Sequence, residues 1–294
     1  MKTITAQQHR KRIIRVLNHI HANLDTELAL IDLAELAHFS PFHFHRIWQS
    51  AMGESIAETT RRLRLIRAAE HLAIGSSVVD AAVAAHFDTA RGFSRAFEKL
   101  YGTKPSEWRS GIHRSAGSEN KKPEQNLLPV DVYRMPPRSL IALRHVGPYR
   151  CVGSAWETLS LWARERGIYE NISAVIGLSY DDPSAVPATA LRYDVCFEVD
   201  TEIEISGPVR ALQLEGGMHA RYRHEGHYFD IGKLYGQLFH GWLPQSDYSN
   251  APAPCVDEYI SHARVAGRRE IVTYLNIPLC KKTSSLNLST PIAQ

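Results

Sequence analysis

The sequence has no long apolar run and few cysteines, and both absences restrict what the protein can be. No apolar stretch approaches the roughly 20 residues that a membrane-spanning helix needs, and residues 1–12 are polar and basic, without the apolar centre of a secretory signal. Only four of the 294 residues are cysteines, and they lie far apart without the spacing of a metal site. We therefore expect a cytoplasmic protein with reduced thiols and no bound metal.

The sequence also lacks the common signatures of cofactor binding and covalent catalysis. It contains neither a Walker loop nor a dinucleotide-binding fingerprint, and the stretch from Gly177 to Asp181 lacks the final glycine of a nucleophile elbow. His43 and His45 alternate with phenylalanines on a predicted helix, so their side chains point in different directions and do not chelate a metal together. We predict no cofactor.

Charge is unevenly divided along the chain. The net charge is +3, from 34 Lys and Arg against 31 Asp and Glu. Residues 1–114 hold 16 basic and 11 acidic side chains and the remainder holds 18 and 20, which gives about +5 and about −2. A length of 294 residues suits two domains better than one. The basic first part is compatible with binding nucleic acid.

A segment near the N-terminus occurs twice, and this repeat is the most informative pattern in the chain. The first copy runs from Ala37 to Trp48 and is followed by Gly53, and the second runs from Ala85 to Phe97 and is followed by Gly102. Each copy predicts a short helix, a turn and a longer helix. Ser40-Pro41 is a typical start for the longer helix, with a hydroxyl cap before the proline.

The longer helix of each copy has one apolar face and one outward face. Apolar residues three and four positions apart predict two buried sets: Phe44, Ile47 and Trp48, then Phe93, Ala96 and Phe97. The side chains expected to project outward are Phe42, His45, Arg46 and Gln49, then Ala90, Arg91, Ser94 and Arg95. Arginine, histidine and glutamine can bond base edges in the major groove of DNA, and phenylalanine can contact a thymine methyl group.

Two interpretations of these faces remain open. Arg46 and Arg95 could be solvated residues of amphipathic helices, and the arginines of the connecting helix (Arg61, Arg62, Arg64 and Arg67) are typical of a solvated face. Because the outward faces match in two copies, the interpretation in which both helices read DNA is favoured.

Residues 8–112 resemble the DNA-binding domain of the AraC/XylS family of bacterial transcription regulators. The resemblance rests on Leu33 to Ala37, Ser40 to Trp48 with Gly53, Phe87 to Phe97 with Gly102, and Pro105 with Glu107 to Arg109. It implies two helix-turn-helix units whose recognition helices enter adjacent major grooves of double-stranded DNA, about one turn or ~34 Å apart, and RNA polymerase as a partner. The family usually has glycine where this chain has His86, so we expect an unusual backbone angle there and more sequence specificity from the first unit.

Beyond a polar stretch rich in Ser, Gly and Lys, the pattern changes to strands and a second repeat begins. Arg144 to Tyr149 matches Arg223 to Tyr228, and the same separation along the chain aligns Tyr180 with Tyr259. Each half predicts the order strand, strand, helix, strand, strand. Two such halves predict an α+β domain with an antiparallel sheet, a pseudo-twofold axis and a cleft between the halves.

Residues 128–280 resemble the GyrI-like small-molecule-binding domain. The resemblance rests on His145 to Tyr149, Trp156, Cys255 to Tyr259 and Ile277 to Leu279. It implies a cleft with aromatic walls and an acidic residue that receives a lipophilic cation, since a carboxylate among rings favours such a ligand. By position the acid is Glu258, whose repeat partner is Ser179, and the candidate walls are Tyr149, Trp156, Tyr228 and Tyr259.

The sequence therefore predicts two domains. An all-α double helix-turn-helix domain occupies residues 6–112, a linker 113–127, an α+β pseudo-twofold domain 128–280, and a polar tail 281–294. The expected function is a DNA-binding transcription regulator that senses a small molecule and is not an enzyme. Two alternatives stay open: a DNA-tethered hydrolase in which Glu258, with Tyr149, is the general base, and a regulator whose second domain binds another protein.

Overall fold

A computed structural model describes residues 2–110, 128–200, 203–260 and 272–282. The predicted linker at residues 113–127 lies outside these ranges, as does the predicted tail beyond Lys282. Within the described ranges, no helix is long and apolar enough to span a lipid bilayer.

Residues 2–110 form a bundle of helices. The helices α1 to α7 run over Lys2–Ala22, Leu30–Leu36, Pro41–Met52, Ile56–Ala73, Val78–Ala84, Ala90–Tyr101 and Pro105–Ser110. The pairs α2–α3 and α5–α6 are the two predicted helix-turn-helix units, and α4 is the helix that joins them. The prediction of an all-α N-terminal region is confirmed.

The two units share their backbone geometry at the turn and at the end of the second helix. The residue before each turn phenylalanine has a left-handed backbone, with φ 53° at His38 and φ 56° at His86. This is the unusual angle expected at His86. Both α3 and α6 end at a glycine with φ 72°, Gly53 and Gly102. Glycine is favoured at such an end because a Cβ is strained in this conformation.

The connecting helix α4 belongs to the hydrophobic cores of both units. Leu63 lies in the core that contains Trp48, and Leu72 lies in the core that contains Phe97. The Trp48 indole is fully buried and donates a hydrogen bond to Thr59 Oγ1 on α4 at 3.2 Å. Because one rigid helix packs into both cores, α4 fixes the position of one unit relative to the other.

The second domain is an antiparallel sheet with α8 and α9 packed on one face. Its elements are β1 Val130–Met135, β2 Arg138–Val146, α8 Gly153–Glu165, β3 Ile172–Ser179, β4 Arg192–Val199, β5 Arg210–Leu214, β6 Gly217–Glu225, α9 Ile231–Gln237, β7 Tyr248–Asn250, β8 Cys255–Tyr259 and β9 Val272–Lys281. The strand order is β1-β6-β9-β8-β3-β4-β2-β5, and the short β7 pairs with β9. This order is symmetric about the β8–β3 pair, which confirms the predicted pseudo-twofold repeat.

Equivalent residues of the two halves are one residue further apart along the chain in the later strands than in the earlier strands. In the first half Ile141 pairs with Phe197, and in the second half Ala220 pairs with Ile277. Phe197 and Ile277 are therefore one residue further apart in the chain than Ile141 and Ala220. β3 and β8 correspond at the same longer separation. The predicted constant separation is therefore wrong for the last two strands of each half, and Asp257 corresponds to Gly177.

Candidate functional site

The outward face of α3 is polar and carries one large apolar side chain. Phe44 and Trp48 are buried on the opposite face. The four side chains predicted to project outward, Phe42, His45, Arg46 and Gln49, are all exposed. Phe42 is 80% exposed. All four side chains are therefore accessible to a binding partner on one face of α3.

The outward face of α6 offers smaller side chains than that of α3. The exposed members of the predicted set are Ala90, Arg91 and Arg95. Ser94 is half-buried, and its hydroxyl donates to a backbone carbonyl one turn earlier at 2.8 Å. Thr89 caps α6 by accepting a backbone amide at 3.1 Å. Ser40 has the same position before α3 without a side-chain cap hydrogen bond, so the predicted hydroxyl cap is wrong.

Most arginines of α4 are engaged by the protein itself. Arg62 pairs with Glu54 at 2.8 Å, and Arg67 pairs with Asp25 at 2.6 Å. Arg64 donates to two backbone carbonyls of the segment between α1 and α2, at 3.0 and 2.7 Å. The expectation of a solvated face is therefore wrong for these three arginines, which hold α4 in the fold.

The four predicted wall aromatics meet on the helix-covered face of the sheet. The ring of Tyr259 lies 5.5 Å from that of Trp156 and 5.4 Å from that of Tyr228, both edge-on. The ring of Tyr149 lies 5.6 Å from that of Tyr193, whose hydroxyl is 2.8 Å from the Tyr259 hydroxyl. These five residues therefore form one connected group, called here the aromatic cluster.

A buried carboxylate stands inside the aromatic cluster. Asp257 of β8 is 3% exposed and accepts hydrogen bonds from the hydroxyls of Tyr193, at 3.0 Å, and Tyr235, at 2.8 Å. Burial raises the pKa of Asp257 from 3.8 to about 6, although the two hydroxyls act in the opposite direction. Burial also raises the pKa of both tyrosines well above its ordinary value, so they stay protonated and continue to donate.

The hydroxyl of Tyr193 reaches Asp257 because the neighbouring strand has a glycine. Gly177 of β3 pairs with Asp257 of β8. A Cβ at Gly177 would overlap the Tyr193 hydroxyl oxygen, far inside van der Waals contact. The missing side chain leaves the space that the phenol occupies.

Glu258 lies on the opposite face of the sheet, which contradicts its predicted position in the cleft. Successive residues of a strand point to opposite faces, so Asp257 and Glu258 do not line the same cleft. The Glu258 carboxylate pairs with Arg138 at 2.8 Å and with Arg221 at 3.0 Å. Two arginines thus neutralise this acid away from the aromatic cluster.

Strand alternation in the sequence already relates Asp257 to a predicted wall residue. Tyr259 is a predicted wall, and the two-residue period of a strand puts Asp257 rather than Glu258 on the same face as Tyr259. Tyr193 and Tyr235, the two residues that bond the acid, come from a distant strand and a helix. Their convergence on Asp257 follows from the sheet order, which the local pattern does not contain.

The geometry separates the two residues that the hydrolase alternative requires. The Tyr149 hydroxyl donates to the Asp181 carbonyl at 2.8 Å and accepts from the Asp181 amide at 2.9 Å. Burial raises the pKa of Tyr149 to about 12. Because Tyr149 lies in the aromatic cluster and Glu258 on the opposite sheet face, the two do not form a general-base pair in this structure.

Comparison with known families agrees with both parts of the fold. Residues 129–279, about half of the chain, match the GyrI-like small molecule binding domain. Residues 33–111 match a helix-turn-helix domain.

Bacterial relatives match one part of the chain or the other. The DNA gyrase inhibitor of Edwardsiella piscicida is 31% identical over 158 residues, which are 52% of this chain and 98% of that protein. The probable transcriptional regulator YgiV of Escherichia coli (strain K12) is 28% identical over 138 residues, 45% of this chain and 86% of YgiV. The uncharacterized HTH-type transcriptional regulator YbfP of Bacillus subtilis (strain 168) is 32% identical over 107 residues, 36% of each chain, so the match spans about a third of the length of YbfP. The present chain belongs to the family of GyrI-like small-molecule-binding domains and carries an AraC-type helix-turn-helix domain in front of that domain.

Proposed function

We propose that the protein is a transcription regulator that reads DNA with α3 and α6 and binds a lipophilic cation in the aromatic cluster. One observation supports each half of the proposal. For DNA, it is the repetition of two helix-turn-helix units with the same turn angles, the same glycine ends and outward arginines. For the cation, it is a buried carboxylate that accepts hydrogen bonds from two tyrosines, one of which belongs to the aromatic cluster.

Two units held by one connecting helix suit two adjacent major grooves of a DNA duplex. Arg46 in α3 and Arg95 in α6 are the proposed guanine-reading residues, because arginine bonds guanine O6 and N7 together. Phe42 suits a thymine methyl group, while Ala90 offers little for recognition. We therefore expect stronger sequence preference in the half of the site that α3 contacts, and action on RNA polymerase at that site.

Selection from a random duplex pool, followed by affinity measurements on the enriched sequence, tests the DNA half. Arg46→Ala is expected to lose about 1–3 kcal/mol on the enriched sequence and to relax the preference at one base pair. Arg61→Ala removes an exposed positive charge from α4, outside both recognition helices, and is the matched control. Its expected loss is equal on enriched and random DNA. An equal loss on both DNAs for Arg46→Ala would exclude base reading by this residue.

The cation half of the proposal depends on the ionisation of Asp257. A cation near the carboxylate favours its ionised form, and the surrounding rings attract the cation through their quadrupoles. Tyr228, 38% exposed, is the outermost ring of the aromatic cluster and the proposed point of entry. Since the pKa of Asp257 is about 6 in the free protein, binding at lower pH must release a proton.

Calorimetric titration with tetraphenylphosphonium, a lipophilic cation that does not titrate, tests this half. The affinity is expected to be constant above about pH 7 and to weaken by up to about tenfold per pH unit below about pH 6. Asp257→Asn should abolish that pH dependence and most of the affinity. Glu258→Gln, one residue away on the opposite sheet face, should keep both. Equal affinity of Asp257→Asn and the unsubstituted protein would overturn the assignment, and a protein partner would become the better account of this domain.

A further inference from the structure

The second domain packs directly on the DNA-binding helices through α8. Arg62 of α4 donates to Glu157 of α8 at 2.5 Å, while its other nitrogens bond Glu54, which lies just before α4. The three side chains are only 15 to 18% exposed. Leu161 of α8 packs against the hydrophobic core of the first unit. An ion pair this shielded from solvent is sensitive to small displacements, because an unpaired charge left there is costly.

Helix α8 also contacts the aromatic cluster. Trp156, the residue before Glu157, lies against Tyr259 in the cluster. Consecutive residues on a helix point about 100° apart, so α8 presents one side to the cluster and another to Arg62. A rotation or shift of α8 that makes room beside Trp156 therefore moves Glu157 relative to α4.

Two short turns that carry cluster tyrosines touch the DNA-binding part as well. The turn Tyr149–Cys151 leads into Gly153, where an added Cβ would lie 3.1 Å from Ile66 of α4. The turn Tyr228–Asp230 follows His227, whose ring would overlap a Cβ added at Gly102, the end of α6. The two turns occupy equivalent positions in the two halves. The first connects the aromatic cluster to α4, and the second connects it to the end of α6.

We infer that occupancy of the aromatic cluster is transmitted to the recognition helices through α8 and the Glu157–Arg62–Glu54 bridge. Arg62 is in this account a positioning residue: it holds α4, which packs into the cores of both units and so sets the spacing of α3 and α6. Ligand-induced movement of Glu157 disturbs the Arg62–Glu54 bond that holds the segment between α3 and α4 against α4. As a result α3 shifts relative to α6, and the fit to two major grooves changes. This inference rests on the proposed function and names the residues that regulate it.

The test is the ratio of DNA affinities of the full chain, without and with saturating tetraphenylphosphonium, on the enriched duplex. We expect a ratio that differs from one by about fivefold or more in the unsubstituted protein. Glu157→Gln should bring the ratio to within about twofold of one while the affinity of the DNA-free protein for the cation stays the same. Glu157→Ala, which introduces no new group, provides a second variant with the same expected result.

Glu165→Gln is the matched control on the same helix. Glu165 accepts a hydrogen bond from Asn18 of α1 at 3.1 Å and is 41% exposed, so its replacement removes another charge between the domains without touching Arg62. It should keep the ratio of the unsubstituted protein. If the Glu157 variants keep that ratio too, the bridge does not transmit the signal and this inference fails alone. If the cation does not bind the unsubstituted protein, the proposed ligand class fails and this inference fails with it.

Discussion

Replacement of Asp257 by asparagine should stabilise the protein at neutral pH and not at acidic pH. The carboxyl has a pKa of about 6 in the folded chain against 3.8 ordinarily, because it is buried. Between these two values the folded chain binds more protons than the unfolded chain, so stability falls as the pH rises through this window and is then level. The rise of the pKa from 3.8 to about 6 lowers the unfolding free energy by about 3 kcal/mol above pH 6.

Urea denaturation of the unsubstituted protein and of Asp257→Asn, between about pH 4 and pH 8, gives the two unfolding free energies. The titration of all other groups cancels when one is subtracted from the other. The unfolding free energy of Asp257→Asn minus that of the unsubstituted protein should rise by about 2.5 kcal/mol from pH 4 to pH 8, the part of the effect that lies above pH 4. Tyr235→Phe removes a hydroxyl that holds the pKa of Asp257 down, so its stability should continue to fall above about pH 6. A difference that stays flat over this range would refute the buried ionisable carboxyl.

Three further substitutions test the packing. By urea denaturation, Gly102→Ala should lose about 1–3 kcal/mol more unfolding free energy than Gly53→Ala. Both glycines have φ 72°, so the backbone strain is the same. A Cβ at Gly102 meets a histidine ring, whereas a Cβ at Gly53 meets nothing within 4 Å. Gly177→Ala should cost about 1–3 kcal/mol and displace the Tyr193 phenol from Asp257; an unchanged melting temperature would contradict this. Trp48→Ala should cost about 3–5 kcal/mol, since its indole is fully buried, and a loss under about 1 kcal/mol would argue against a shared core.

The sequence predicts the DNA-binding part well because its information is local. Apolar residues three and four positions apart identify the buried faces of α3 and α6, and the glycine after each helix marks its end. The His86 backbone angle also follows, since the turn geometry needs a left-handed residue whichever side chain occupies it. The engagement of the α4 arginines does not follow, because Arg62 and Arg67 pair with acids far away in the chain.

In the second domain, the order of the elements follows from the sequence, and the place of the acidic side chain does not. The strand and helix order of each half is correct, and the four predicted wall aromatics lie together. The separation that relates β2 to β6 does not relate β3 to β8. Glu258 is the acid that the resemblance to the GyrI-like domain implies by position, and the structure puts it on the sheet face opposite the aromatic cluster, paired with two arginines. Strand alternation beside Tyr259 indicates that Asp257 shares its sheet face. The proximity of Tyr193 and Tyr235 to Asp257 depends on contacts between elements that are distant in the chain, which the local pattern does not contain.

We propose that this one chain joins a DNA-reading domain to a cation-sensing domain. Selection of the whole protein on a random duplex pool at low salt, with and without tetraphenylphosphonium, tests it most directly. We expect an enriched site of two short blocks about one helical turn apart, with an affinity that changes about fivefold or more when the cation is present. No binding at low salt, where phosphate contacts are strongest, or binding without an enriched sequence at physiological salt, would show that α3 and α6 do not read DNA.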